Sequence, residues 1–123
     1  MFEVSVHGSF IARHQLRLPD GTWEPLHEHG WRVEVTYAGP RLNAGGVLLD
    51  FVEVERLLAE TLTPLQHQNL NILALFRDRN PSAENVARHI AERMAPETTG
   101  AARMQCVAVE EAPGCVARYF PHE

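Results

Sequence analysis

The sequence predicts an α+β fold: a four-stranded antiparallel sheet with two helices on one face. Three observations lead there. Apolar and polar residues alternate at period two near both ends of the chain. Two stretches between those ends repeat apolar residues at helical spacing. The strands come in sequential pairs with the helices between the pairs, an order of β-β-α-α-β-β. At 123 residues the chain fits one domain, residues 1–123, and is too short for two ordinary ones.

The first strand reads from Phe2, Val4, Val6, Gly8, Phe10, Ala12 and His14 on one parity, against Glu3, Ser5, His7, Ser9 and Arg13 on the other. Leu18-Pro19-Asp20-Gly21 is a turn signal. A second run places His27, His29, Trp31, Val33, Val35 and Tyr37 on one face and Glu28, Arg32, Glu34 and Thr36 on the other. The two runs form an antiparallel hairpin. Gly-Pro and Gly-Gly mark 38–46 as a loop. Asp50 reads as a helix N-cap, with Glu53 completing a capping box. Phe51, Val54, Leu57, Leu58 and Leu62 then follow at helical spacing, and Pro64 ends or follows that helix. Residues 65–79 show no period and read as loop. Ser82 caps a second helix, with Glu84 in its first turn and Val86, Ile90 and Met94 on its apolar face. Residues 96–100 break it. Val107 and Val109 alternate with Gln105 and Ala108, and Ala112-Pro113-Gly114 turns into a last strand over 116–120.

Composition narrows the function. Hydrophobic residues make up 45 % and charged residues 22 %, as in a globular rather than a disordered chain. The net charge of −5 gives no clustered cationic surface for nucleic acid. All 11 basic residues are Arg, so Schiff-base chemistry and a lysine-bearing phosphate loop are excluded. No apolar run approaches the roughly 20 residues of a membrane-spanning helix. The N-terminus lacks the pattern of a signal peptide, and two cysteines make no disulfide framework; a reduced, cytoplasmic protein is expected.

The unusual count is seven histidines. His27 and His29, two apart on a strand, project from one face. His14 ends the preceding strand on the parity of Phe10 and Ala12, so strand pairing closes a triangle. Three imidazoles with an open position suit a catalytic Zn²⁺, which polarises a bound water or substrate oxygen. The plainer alternative is a set of polar residues satisfied near a sheet edge.

Several motifs together resemble the family of 6-pyruvoyl-tetrahydropterin synthase and 6-carboxy-tetrahydropterin synthase. They are Phe10-Ile11-Ala12-Arg13-His14, Leu26-His27-Glu28-His29-Gly30-Trp31, Gly46-Val47-Leu48-Leu49-Asp50-Phe51, His67-Gln68-Asn69-Leu70-Asn71, Asn80-Pro81-Ser82-Ala83-Glu84-Asn85-Val86-Ala87, and Val107-Ala108-Val109-Glu110-Glu111 before Tyr119. The resemblance implies a tunnelling-fold (T-fold) subunit that assembles into trimers and hexamers. It implies a zinc enzyme acting on 7,8-dihydroneopterin triphosphate, in queuosine or tetrahydropterin biosynthesis. It makes His14, His27 and His29 the zinc ligands, Glu111 the carboxylate that anchors the pterin ring, and His67 the catalytic histidine. A carboxylate suits that anchor because it accepts two parallel N–H bonds from a 2-amino-pyrimidinone edge.

The sequence departs from the family pattern at three places. The family's catalytic cysteine, four residues before the first histidine of the His-x-His pair, is Trp23. The aspartate that partners the catalytic histidine is Gln66, which cannot ionise. The glycine between the zinc histidines is Glu28, whose side chain points to the opposite face. Beside the missing cysteine stands Glu24. A glutamate near that position is associated in some family members with cleavage to 6-hydroxymethyl-dihydropterin. Glu24 is thus a candidate general base; the alternative is a solvated loop residue. Three functions compete: a zinc lyase acting on a pterin side chain, a pterin-binding or structural paralogue that has lost the chemistry, and a zinc-dependent enzyme of the same fold on a different purine-like or pterin-like substrate.

Overall fold

The computed structural model describes residues 1–97 and 100–122. Its strands are β1 (Phe2–His14), β2 (His27–Gly39), β3 (Arg103–Ala112) and β4 (Cys115–Tyr119), and its helices are α1 (Phe51–Leu62) and α2 (Ala83–Met94). The sheet runs in the order β1-β2-β3-β4, every neighbouring pair antiparallel. The expected element order and fold class are therefore those of the molecule.

Both helices cover one face of the sheet. Phe10, Trp31, Val33, Val35, Val107 and Val109 from the strands pack on Val54, Leu58 and Leu62 of α1 and Val86, Ile90 and Met94 of α2. Each large side chain buried in this way contributes about 1.5–3 kcal/mol. Gly8 permits the close approach of α1: a Cβ there would stand 2.9 Å from Leu58 Cδ2. The opposite face is polar, with Ser5 bonded to Thr36 at 2.9 Å and His7 paired with Glu34 at 2.7 Å.

Both helix starts form as the sequence indicates. Asp50 accepts the Val52 N–H at 2.9 Å, and Ser82 accepts the Asn85 N–H at 3.2 Å. The capping box is only half made, because Glu53 pairs with Arg56 instead of reaching back. The expected loop over 65–79 is more ordered than its lack of period suggests. Short 3-10 turns at Thr63–Leu65, Leu70–Ile72 and Ala74–Phe76 bury Leu65, Leu70 and Phe76. Turns of three residues are too short to leave a periodic signal. The last strand begins at Cys115, and Phe120 lies beyond it. Of the expected break at 96–100, Thr98 and Thr99 lie outside the described residues.

Strand β3 carries two irregularities. Thr36 faces Cys106 while Tyr37 faces Met104, so Gln105 is an extra residue. That bulge puts both Met104 and Val107 in the core. Against β4, Glu110 faces Val116 and Ala112 faces Cys115, which leaves Glu111 as the inserted residue. No helix among the described residues is long and apolar enough to cross a membrane.

Candidate metal centre

The unbroken register of β1 on β2 ends with His14 opposite His27, and Ala12 opposite His29. The three histidines therefore gather at one end of the hairpin. Their ring centroids are 4.5 Å (His14–His27), 4.6 Å (His27–His29) and 5.6 Å (His14–His29) apart. Trp31 forms the floor, its centroid 4.8 Å from His14. Its indole N–H donates to the Ala12 carbonyl at 3.2 Å.

A fourth donor joins them. Oε1 of Glu111 lies 2.5 Å from His14 Nε2, 3.8 Å from His29 Nε2 and 4.0 Å from His27 Nε2. Glu111 lies two residues beyond Val109 on the core parity of β3, and the pairing of Val109 with Val33 puts that parity on the face of Trp31 and the histidines. One donor atom from each of the four residues falls within 4.8 Å of the others.

Backbone carbonyls orient two of the rings. Nδ1–H of His14 donates to the Pro81 carbonyl at 2.7 Å, and Nδ1–H of His27 donates to the Pro25 carbonyl at 2.8 Å. Each neutral ring then presents its Nε2 lone pair to the centre. His14 is completely buried, and its Nε2 has no aligned hydrogen bond although it abuts the Glu111 carboxylate. A ring lone pair and a carboxylate oxygen facing each other at that distance require an electropositive partner. The three imidazoles suit a divalent transition metal such as zinc, with the Glu111 carboxylate beside the position they leave open. Burial first, and the His27 ring next, hold His29 below the ordinary imidazole value, which keeps its lone pair free.

Glu24 stands at the edge of this cluster. Its Oε1 is 3.8 Å from His27 Nε2 and accepts the Leu16 N–H at 3.0 Å. Its own N–H donates to the Leu16 carbonyl at 3.0 Å, so main chain and side chain both hold it against the end of the hairpin. It is only partly exposed, not a freely solvated loop residue.

His67 is placed elsewhere. It is exposed on the outer edge of β1, its N–H donating to the Ile11 carbonyl at 2.6 Å, and it takes no part in the four-residue cluster. Its φ of +60° is the left-handed conformation, and no other non-glycine among the described residues has a positive φ. Hydrogen bonds on both sides hold it there. Gln66 Oε1 accepts the Ile11 N–H at 2.6 Å, and the Gln68 carbonyl accepts the Arg13 N–H at 2.9 Å. Gln66 thus clasps β1 with its side chain rather than partnering His67. Trp23, at the position of the missing cysteine, is half exposed beneath the Arg17 guanidinium, 5.8 Å from the ring centroid.

The carbonyls of Pro25 and Pro81 escape sequence reasoning, because a main-chain acceptor leaves no mark on residue identity. Glu111 is legible as a functional carboxylate, but its closeness to the histidines follows from the pairing of β2 with β3.

Comparison with known proteins places the chain. A family model described as 6-pyruvoyl tetrahydropterin synthase matches residues 3–122. A dihydroneopterin monophosphate aldolase from Pyrococcus furiosus is 29 % identical over 103 residues, covering 84 % of this chain and 83 % of the relative. The structure of Caenorhabditis elegans 6-pyruvoyl tetrahydropterin synthase superposes with a TM-score of 0.83 at 19 % identity, covering 97 % of this chain and 94 % of that one. A Plasmodium vivax 6-pyruvoyltetrahydropterin synthase with a catalytic glutamate replaced by alanine gives 0.72 at 17 % identity, covering 96 % of each chain. With a matching order of elements and a match spanning almost every residue, this chain belongs to the 6-pyruvoyl tetrahydropterin synthase family.

Proposed function

We propose that this protein is a zinc-dependent lyase acting on the side chain of 7,8-dihydroneopterin triphosphate or a related phosphorylated dihydropterin. Of the family's chemistries, the glutamate-dependent cleavage to 6-hydroxymethyl-dihydropterin is the best supported. The carrying observation is the Glu24 carboxylate, fixed by Leu16 and 3.8 Å from His27 Nε2, beside a site whose cysteine position holds Trp23. The Pyrococcus furiosus relative is an aldolase on a dihydroneopterin monophosphate, and the Plasmodium vivax synthase uses a catalytic glutamate. Both agree with this reading.

His14, His27 and His29 would hold the metal, which when bound supplies Lewis-acid polarisation of the substrate's side-chain oxygens. Glu111 accepts N–H groups from the pterin ring and sets the side chain towards the histidines. Glu24 takes the proton of the middle side-chain hydroxyl. The bond between the first and second side-chain carbons then breaks. The second carbon leaves as an aldehyde bearing the phosphate, and the electron pair passes into the conjugated ring. Return of the proton to the first carbon gives the hydroxymethyl product. Within one chain His67 stands apart, so it enters this chemistry only where another subunit brings the β1 edge to a site.

The protein works as a homo-oligomer, a trimer or a hexamer of two trimers. The outer edge of β1 from 2 to 9 and the outer edge of β4 have no strand partner among the described residues, and such edges invite pairing. A cytoplasmic location agrees with Cys106 and Cys115 both being free thiols. The substrate and product are small molecules; neither nucleic acid nor membrane is a partner.

A second reading is a pterin-binding paralogue without activity, favoured by Trp23 and Gln66. Incubating the zinc-loaded protein with dihydroneopterin triphosphate and, separately, monophosphate, followed by mass spectrometry, decides between them. The lyase reading expects 6-hydroxymethyl-dihydropterin and a phosphorylated two-carbon aldehyde. Tight binding of intact pterin with no product establishes the second reading instead.

A further inference from the structure

We propose that a groove beside the histidine cluster binds the phosphate group of the substrate's side chain, through Arg17 and Arg77. This inference rests on the function proposed above, whose substrate it completes.

The groove encloses about 470 Å³ and is lined by Arg17, Trp23, Phe76, Arg77, Arg79 and Asn80. The chain carries a net charge of −5, yet three of its 11 arginines meet here. Asp78 also lines the groove and offsets one positive charge, and Arg79 leans towards Glu92 at 3.8 Å. Arg17 and Arg77 have no carboxylate within ion-pair distance among the described residues. Two guanidinium groups are therefore left to an outside anion. A planar guanidinium fork matches two oxygens of a phosphate, which makes a phosphate ester a fitting occupant.

The walls are built and tied. The Arg17 N–H donates to Asn80 Oδ1 at 2.8 Å, and Asn80 Nδ2 donates back to the Arg17 carbonyl at 3.0 Å. The guanidinium of Arg17 rests over the Trp23 ring, within the range of a cation–π contact. Trp23 thus acts as a positioning residue for Arg17. The walls of the groove join the histidine cluster through neighbouring residues of the chain. Asn80 precedes Pro81, whose carbonyl orients His14, and Trp23 precedes Glu24. A substrate with its side-chain hydroxyls at the histidines has its terminal phosphate directed past Glu24 to these arginines.

The test compares the zinc-loaded full chain with Arg17→Ala, Arg77→Ala and a control, Arg56→Ala, which removes the same charge from an ion-pair cluster on α1. Each is assayed on dihydroneopterin monophosphate and on unphosphorylated dihydroneopterin. The two groove variants should raise KM for the phosphorylated substrate roughly 10- to 100-fold, the loss expected for a charge-assisted hydrogen bond. Kinetics on the unphosphorylated substrate should stay unchanged, and Arg56→Ala should alter neither. Equal effects on both substrates, or none on either, overturn the proposal. Calorimetric titration with inorganic phosphate separates this from the function itself. If the wild type turns over neither pterin but loses phosphate binding in both groove variants, the lyase reading fails and the groove serves a different phosphate ligand. Phosphate binding that both variants retain removes the groove altogether.

Discussion

In the proposed function, Glu24 is the residue on which the chemistry turns. Pro25 fixes its own φ and disfavours the helical region for the residue before it, and the Leu16 N–H holds one carboxylate oxygen. Glu24→Gln keeps the shape and the hydrogen-bond acceptor but removes the base. Turnover should fall by about 10²-fold or more, with zinc content and pterin affinity nearly unchanged. Full activity in Glu24→Gln together with its loss in His67→Ala would transfer the role to His67. A second residue tests the core. Tyr37 is buried, its hydroxyl has no hydrogen-bond partner among the described residues, and burial pushes its pKa up to about 12. Removing an unpaired buried hydroxyl removes a desolvation cost, so Tyr37→Phe should raise stability by about 1 kcal/mol. Denaturant midpoints measure it, and a clear loss of stability would mean the hydroxyl has a partner in solution.

At the scale of elements, the candidate metal centre is a property of the hairpin and of what is tied to it. Strands β1 and β2 set the three histidines side by side, while the start of α2 supplies the carbonyl that orients His14. Ser82, next to that carbonyl, caps α2. Ser82→Ala should cost about 1 kcal/mol of stability, the usual loss for an N-cap. Zinc affinity should weaken with it, since the Pro81 carbonyl is then held less firmly. Thermal melts with and without zinc read both effects; a stability loss with unchanged metal affinity would show that Pro81 is held by the loop alone. The clasp of 66–68 on β1 is the other element-level feature. It explains a glutamine where the family pattern has an aspartate: Gln66 supplies an acceptor to a backbone N–H, a task that needs no charge.

At the scale of the whole molecule, the predictions concern protons and the proposed oligomer. His29 is held below its ordinary value by burial and His27, and His89 by its own burial. Both are harder to protonate folded than unfolded, so the unfolded chain binds more protons as pH falls. Stability of the metal-free protein should therefore be full above the ordinary value of 6.5 and be lost as pH drops through it towards the lowered folded values. Urea midpoints in chelator at about pH 5 and about pH 7.5 should differ in that direction, and equal midpoints would contradict it. Light scattering should report a trimer or hexamer of the 13.8 kDa chain. A monomer at micromolar concentration would show that the free edges of β1 and β4 are protected by other means.

Much of this protein is written in local patterns. Period-two alternation over 2–14 and 27–37 determined the hairpin, though β2 runs on to Gly39, into the loop expected from 38, and one side-chain parity put His14, His27 and His29 on one face, because strand geometry is local and repetitive. Helix starts at Asp50 and Ser82 were legible for the same reason: capping is chemistry between near neighbours. Tertiary structure alone decided the rest. The approach of Glu111 to the histidines arises from the pairing of β2 with β3, strands distant in sequence. So does the bulge at Gln105 that brings Met104 and Val107 to the same core. The carbonyls of Pro25 and Pro81, the clasp by Gln66 and the meeting of Arg17 with Arg77 join segments by contacts that have no period. His67 makes the contrast plain: its sequence motif is readable, but its place on the outer edge of β1 follows from backbone hydrogen bonds that only the folded chain forms.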